Sequence, residues 1–224
     1  MLSIKKTLGN IWFESVRLVA KVVAYPLFRV RVFGRGNIPK DGPLLLLSNH
    51  QSFLDPMFCQ VSSSRKLAFI ARDSLFKIPG LGQFIRTLNT IPIKRGEADI
   101  TAMRKIIDKL KNDSAVCLFP EGTRTEDGRI SEVKAGFSLL SRRSGANVIP
   151  VVIDGSFECW PKGRKFFLLR KVVISYGKPI AAEEVKRIGD REFAKRLTGL
   201  LRELQDECRA KIGKKPFSYD DTNS

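Results

Sequence analysis

The chain carries a single histidine, His50, with an aspartate five residues on, in the run Ser48-Asn49-His50-Gln51-Ser52-Phe53-Leu54-Asp55-Pro56. An imidazole beside a carboxylate can take up a proton near neutral pH and hold the charge that results. If the chemistry needs such a base, His50 is the candidate by elimination. On a continuous helix, residues five apart point about 140° away from each other, so His50 and Asp55 meet only where the chain turns. Asp55-Pro56 supplies a reason for a turn. Aspartate suits an N-cap and proline the first helical position, so a helix is expected to begin there and return the carboxylate toward the imidazole. Taken alone, the pair reads more readily as a helix cap beside a polar strand end.

Two further clusters suit an anionic ligand. Phe119-Pro120-Glu121-Gly122-Thr123-Arg124 follows an apolar run and combines an acid, a glycine, a hydroxyl and a guanidinium. Gly122 lets backbone approach a ligand closely, and Arg124 offers a bidentate fork for phosphate. Ile91-Pro92-Ile93-Lys94-Arg95-Gly96 sets two cations, Lys94 and Arg95, behind another apolar run. Each cluster by itself also reads as a surface turn with solvated charge.

Positioning these groups falls to the elements before them. Leu44 to Leu47 is a continuous apolar run of the kind a buried strand needs, and His50 sits just past its end. Further strands are expected at Lys66–Ala71, Thr90–Ile93, Ala115–Phe119, Val148–Ile153 and Val172–Tyr176. Ile100, Met103, Ile107 and Leu110 recur at helical spacing, as do Phe193, Leu197, Leu200, Leu204 and Cys208. This alternation predicts an α/β fold with a mostly parallel central sheet flanked by helices. In such sheets, ligands bind at strand ends.

The first 33 residues mix Trp12, Phe13, Val16, Leu18, Val19, Val22, Val23, Leu27 and Phe28 with dispersed cations. Through residue 40, eight basic residues face one acid, Glu14. Residues 1–33 are therefore expected to form two short amphipathic helices interrupted near Pro26, anchored on an anionic membrane surface. A helix packed on the protein's own core is the competing reading. The α/β domain is expected over residues 34–213, with 214–224 a disordered polar tail.

No segment qualifies as a transmembrane span, and Glu14, Arg17 and Lys21 interrupt any signal-peptide core, so a cytoplasmic-side protein is expected. The 40 basic and 23 acidic residues leave a formal +17, which implies an anionic partner. Charge alone does not choose among nucleic acid, a phospholipid surface and a phosphorylated substrate. Cys59, Cys117, Cys159 and Cys208 are scattered without a C-x-x-C pair, which favours buried reduced thiols over disulfides or zinc. No G-x-S-x-G, phosphate loop or recognised nucleic-acid module occurs, and Gly80-Leu81-Gly82-Gln83-Phe84-Ile85 ends in isoleucine. Serine-hydrolase and nucleotide-binding readings are thus weak, and no nucleic-acid partner is expected.

Together the clusters resemble the glycerophospholipid acyltransferase family, particularly its bacterial lysophosphatidic acid acyltransferases. Asn49 to Asp55 matches the family's His-x4-Asp block, and Thr90 to Arg95 looks like the second block, which ends in a phosphate-binding arginine. Phe119 to Arg124 matches the third block and Val148-Ile149-Pro150-Val151 is similar to the fourth, so the resemblance covers roughly residues 35 to 180. It implies acyl transfer from acyl-CoA or acyl carrier protein to the free glycerol hydroxyl of lysophosphatidic acid, giving phosphatidic acid, or to another lysolipid as the alternative, with His50 as general base and Asp55 orienting it. Arg124, Arg95 and Arg72, with Lys94 nearby, would hold the acceptor phosphate, while Glu121, Gly122 and Thr123 shape its site. Arg72 stands where many relatives carry lysine, which replaces a point cation by a planar fork. A thioester is already activated, so the implied reaction calls for no cofactor and no metal.

Overall fold

Leu44, Leu45, Leu46 and Leu47 are all fully buried, as a strand covered on both faces requires. Each leucine so buried contributes roughly 1.5–3 kcal/mol, which makes this run the natural centre of the sheet. The computed structural model describes residues 2–87, 89–93 and 98–219. Its elements are α1 (Leu2–Leu27), β1 (Arg31–Phe33), β2 (Leu44–Ser48), α2 (Asp55–Ser62), β3 (Leu67–Arg72), α3 (Leu81–Thr87), β4 (Thr90–Ile93) and α4 (Ala98–Lys111). They continue with β5 (Ala115–Leu118), α5 (Ser138–Ser144), β6 (Asn147–Asp154), α6 (Ser156–Cys159), β7 (Val173–Tyr176), α7 (Ala182–Ile188) and α8 (Asp190–Ala210).

Among the described residues, one seven-stranded sheet runs in the order β1-β7-β6-β2-β5-β3-β4. β2 pairs in parallel with β5 and β6, and β3 in parallel with β5 and β4. β7 is antiparallel to β6 and parallel to β1. The five strands β2 to β6 therefore end on one edge, as the mostly parallel sheet predicts. Alternation along the pleat divides the core in two. Leu45, Leu47, Val116 and Val148 join a cluster with Ile106 of α4 and Leu197 of α8, while Leu44, Leu46, Cys117 and Ile149 pack with Ala24, Phe28 and Phe58. All four cysteines are buried and unpaired.

Four expectations change. The N-terminal segment forms one helix, α1, and not two, because Pro26 falls in its last turn where few hydrogen bonds remain to be lost. Positive φ at Arg29 then stops the helix, and β1 joins the sheet within the segment read as anchor. β1 is only three residues long and too mixed in polarity to signal a strand. On α4, Ile100 is exposed while Ala102, Ile106 and Leu110 are buried, so the inward face is rotated from the one the spacing suggested.

The tail expected to be disordered from residue 214 instead folds back over α8 through residue 219. Tyr219 donates to Gln205 Oε1 at 2.7 Å and accepts the Ile130 N–H at 3.1 Å. The Phe217 N–H reaches Asp206 at 3.2 Å, and the Arg209 guanidinium lies on the Phe217 ring. Aromatic residues in a polar segment supply the contacts that its average composition hides.

α1 has two unlike faces. Phe13 and Ala24 are buried, Lys66 caps the Phe13 ring, and Arg17 donates to the Ser63 carbonyl. Leu8, Ile11, Trp12, Leu18, Val19, Val22 and Val23 point away from the protein, each about half exposed or more. Among the described residues, no helix is long and apolar enough to cross a membrane.

Candidate active site

β2 delivers Asn49 and His50 to the edge where the parallel strands end, and both flanks of this turn are pinned. The Asn49 side chain exchanges two hydrogen bonds with the Ile153 backbone on β6, at 2.8 and 2.9 Å. The His50 carbonyl accepts the Thr125 N–H at 2.8 Å. Gln51 donates to the Gly128 carbonyl at 2.8 Å. The turn is thus tied to β6 on one side and to the loop after β5 on the other.

Within it, His50 Nδ1 lies 2.8 Å from Asp55 Oδ2. The same oxygen accepts the Gln51 and Ser52 N–H groups at 2.6 and 2.7 Å, and Ser156 donates to Oδ1 at 2.7 Å. Asp55 is fully buried, so these donors replace the water its charge has lost. A helix does begin at Asp55-Pro56, but the aspartate does not cap it; its carboxylate turns back into the preceding loop. An ionised carboxylate only accepts, so Nδ1 carries the hydrogen and Nε2 keeps its lone pair. The imidazole also stacks on Phe119, with centroids 4.0 Å apart and planes 16° from parallel. Its side chain remains 20% exposed. A ring held by a carboxylate on one nitrogen and an aromatic slab on one face is placed so that its other nitrogen can accept a proton.

The loop after β5 braces the same turn. Glu121 is buried, and its Oε1 accepts the His50 N–H at 2.7 Å while Oε2 accepts the Ser131 N–H at 2.8 Å. Burial pushes its carboxyl up to about 7 against the two amide bonds, which hold it down. Glu121 therefore faces the backbone of the histidine turn and not an open headgroup site. Gly122 takes φ +77° in a tight turn closed by its N–H on the Phe119 carbonyl, and a Cβ there would stand 2.6 Å from Lys134 Nζ. Thr123 is exposed beside it. The Arg124 guanidinium lies 3.5 Å from the centroid of Phe53, three residues beyond His50.

Arg72 closes β3 on the same edge, paired in register with Ile93 of β4. Lys94 and Arg95, expected among the phosphate-binding residues, lie outside the described residues. A cavity of about 430 Å³ lies toward β4, lined by Asp73, Phe76, Lys77, Arg86, Thr90 and Pro92. It does not include His50.

Three members of the arrangement escaped the sequence reading. Ser156 opens α6, far downstream, after a left-handed Gly155. A serine has no spacing signal linking it to Asp55. In the sequence Phe119 reads as a strand end and the first residue of its cluster, with no sign of a contact to His50, and Gln51 reads only as part of the histidine run. The donor Gln51 completes a polar knot, because its Oε1 also accepts the Phe157 N–H at 3.3 Å.

Residues 29–154 match the protein family described as Acyltransferase. The chloroplastic 1-acyl-sn-glycerol-3-phosphate acyltransferase of Arabidopsis thaliana is 31% identical over 155 residues, 68% of this chain and 43% of that protein. The protein of the same name from Bacillus subtilis is 22% identical over 184 residues, 82% of this chain and 89% of its own length. The crystal structure of the 1-acyl-sn-glycerophosphate (LPA) acyltransferase PlsC from Thermotoga maritima superposes with a TM-score of 0.81 at 31% identity, covering 92% of this chain and 83% of that one. The chain spans less than half the length of the plant relatives it matches, 43% and 45% for the Arabidopsis and Brassica napus proteins.

Proposed function

The chain belongs to the Acyltransferase family, and on that premise we propose that it moves a fatty acyl group from a thioester donor to the free glycerol hydroxyl of lysophosphatidic acid, giving phosphatidic acid. The names of the relatives from Arabidopsis and Bacillus support this acceptor. The observation that carries the mechanism is the Nδ1 to Asp55 Oδ2 contact of 2.8 Å, which leaves Nε2 as the basic nitrogen.

In this mechanism, Nε2 removes the hydroxyl proton as the glycerol oxygen attacks the thioester carbon. The new C–O bond forms, the C–S bond breaks, and the imidazolium returns the proton to the departing thiolate. Asp55 stabilises the transient imidazolium and fixes the tautomer. Base catalysis of this kind contributes about 10²- to 10⁴-fold, the rest coming from positioning and electrostatic stabilisation. Acyl-CoA and acyl carrier protein both present the required thioester. Arg124, with Arg72 and with Lys94 and Arg95, is proposed to bind the acceptor phosphate, since guanidinium forks suit a phosphate monoester.

The proposed location is the cytoplasmic face of the cell membrane, with α1 lying on anionic lipid. Its outward apolar residues support this, as does the excess of cations through residue 40. The deciding experiment assays purified protein with both donor types against a panel of lysolipids. His50→Ala should abolish acyl transfer while vesicle binding persists. Undiminished turnover by that variant would remove the base from the mechanism.

A further inference from the structure

Residues 161–171 read Pro-Lys-Gly-Arg-Lys-Phe-Phe-Leu-Leu-Arg-Lys: five cations, no acid, and four consecutive apolar residues between the basic pairs. The apolar four are all exposed: Phe166 at 80%, Phe167 at 51%, Leu168 at 41% and Leu169 at 51%. A contiguous apolar run on the surface, rimmed by charge, marks an interaction site. The segment has a fixed base. A Cβ on Gly155 would lie 2.1 Å from the Lys171 carbonyl oxygen, so the two ends of the 156–171 excursion touch. Inside it, the Leu168 N–H reaches the Cys159 carbonyl at 2.8 Å and the Trp160 indole donates to the Arg164 carbonyl at 2.9 Å.

Aromatic contacts join this loop to two places already described. Phe167 lies 6.2 Å from Phe28, just past the end of α1, and 6.0 Å from Trp160. Trp160 lies 5.4 Å from Phe53 of the histidine turn, and its carbonyl accepts from Ser52 at 2.9 Å. One apolar ridge thus runs from the foot of α1, across the loop, to the lip of the His50 site.

We infer that the 161–171 loop is a second membrane-insertion element, its Phe-Phe-Leu-Leu tip entering the interface of an anionic bilayer while Lys162, Arg164, Lys165, Arg170 and Lys171 meet headgroups. The charge pattern selects this occupant: cations flanking an apolar tip fit acyl chains below a negative surface. The ridge to Phe53 gives the insertion a purpose, because it sets the mouth of the histidine turn at the depth where a lysolipid's glycerol lies. The inference rests on the membrane-surface reading above and extends it.

The test uses the full chain with phosphatidylglycerol vesicles. Trp12→Phe leaves Trp160 as the sole indole, and its emission should be quenched by acyl-brominated lipid. Phe166→Ser with Leu169→Ser should lower vesicle partition about tenfold and leave turnover of a dispersed short-chain lysophosphatidic acid unchanged. Unchanged partition overturns the inference, and is the result expected if the loop instead docks an acidic carrier protein. An equal loss with the dispersed acceptor overturns it too, pointing to a structural role. A wild-type chain that does not partition at all removes the membrane-surface reading itself, and the inference with it.

Discussion

Replacing Glu121 by glutamine tests which force governs the brace behind His50. Burial raises this carboxyl from its ordinary 4.5 to about 7. At about 1.4 kcal/mol for each tenfold change in proton affinity, that rise is worth about 3 kcal/mol. The sign follows from linkage. The folded chain holds this proton more tightly than the unfolded one, so the contribution is complete below about pH 4.5 and is lost as pH rises to about 7. About 2.5 kcal/mol of the loss falls between pH 5 and 8. Glutamine cannot titrate, so it escapes the loss, although its amide turns a donor against one of the two backbone N–H groups and costs about 1–3 kcal/mol throughout. Urea unfolding of both proteins at pH 5 and pH 8 isolates the effect, since the other titrating groups are shared. The stability gap should shift in the variant's favour by about 2.5 kcal/mol on going from pH 5 to pH 8. Parallel pH dependence, or a shift of the opposite sign, would refute the claim that burial outweighs the two amide bonds.

Asp55→Asn keeps the shape of the buried knot and removes its charge, so kcat should fall about 10²- to 10⁴-fold with little change in acceptor KM; kcat above a tenth of wild type would contradict the role of the carboxylate. Ser156→Ala takes away the 2.7 Å donor to Asp55 Oδ1 and should lower kcat about tenfold, again sparing KM, whereas a pure rise in KM would mean that Ser156 acts on the substrate and not through Asp55. Gly155→Ala sets a side chain at φ +89° and 2.1 Å from the Lys171 carbonyl, so chemical denaturation should show a loss of about 3 kcal/mol or more; a loss under 1 kcal/mol would mean that the loop base yields freely.

Much of this molecule is legible in one dimension where a single force dominates. The Leu44 to Leu47 run can only be a core element, and its neighbours alternate with helical spacings, so the sheet and its parallel sense follow. The His50–Asp55 contact is legible in part: Asp55-Pro56 marks a helix start and so a turn after His50, but the carboxylate turns back into the loop and does not cap the helix as that pattern suggests. Glu121 is a different case. Its motif suggests a ligand site, yet the side chain turns inward to two backbone amides, and no pattern in Glu-Gly-Thr-Arg encodes that direction. Ser156 is invisible for a related reason: its bond to Asp55 spans 101 residues and needs the β2–β6 pairing to exist first. α1 shows a milder failure, since a breaker in the last turn of a helix does not divide it.

The returning tail has a consequence for the order in which the working protein comes into being. Tyr219 holds Gln205 and the Ile130 N–H, Gln205 shares the Gly128 carbonyl with Gln51, and Ser131 shares Glu121 with His50. A ribosome makes His50 well before Tyr219, so the histidine turn must wait for α8 and the segment after it to emerge before this brace can form. A nascent chain stalled short of α8 would carry every residue of the His-Asp pair and still lack the bolt that holds their loop in place.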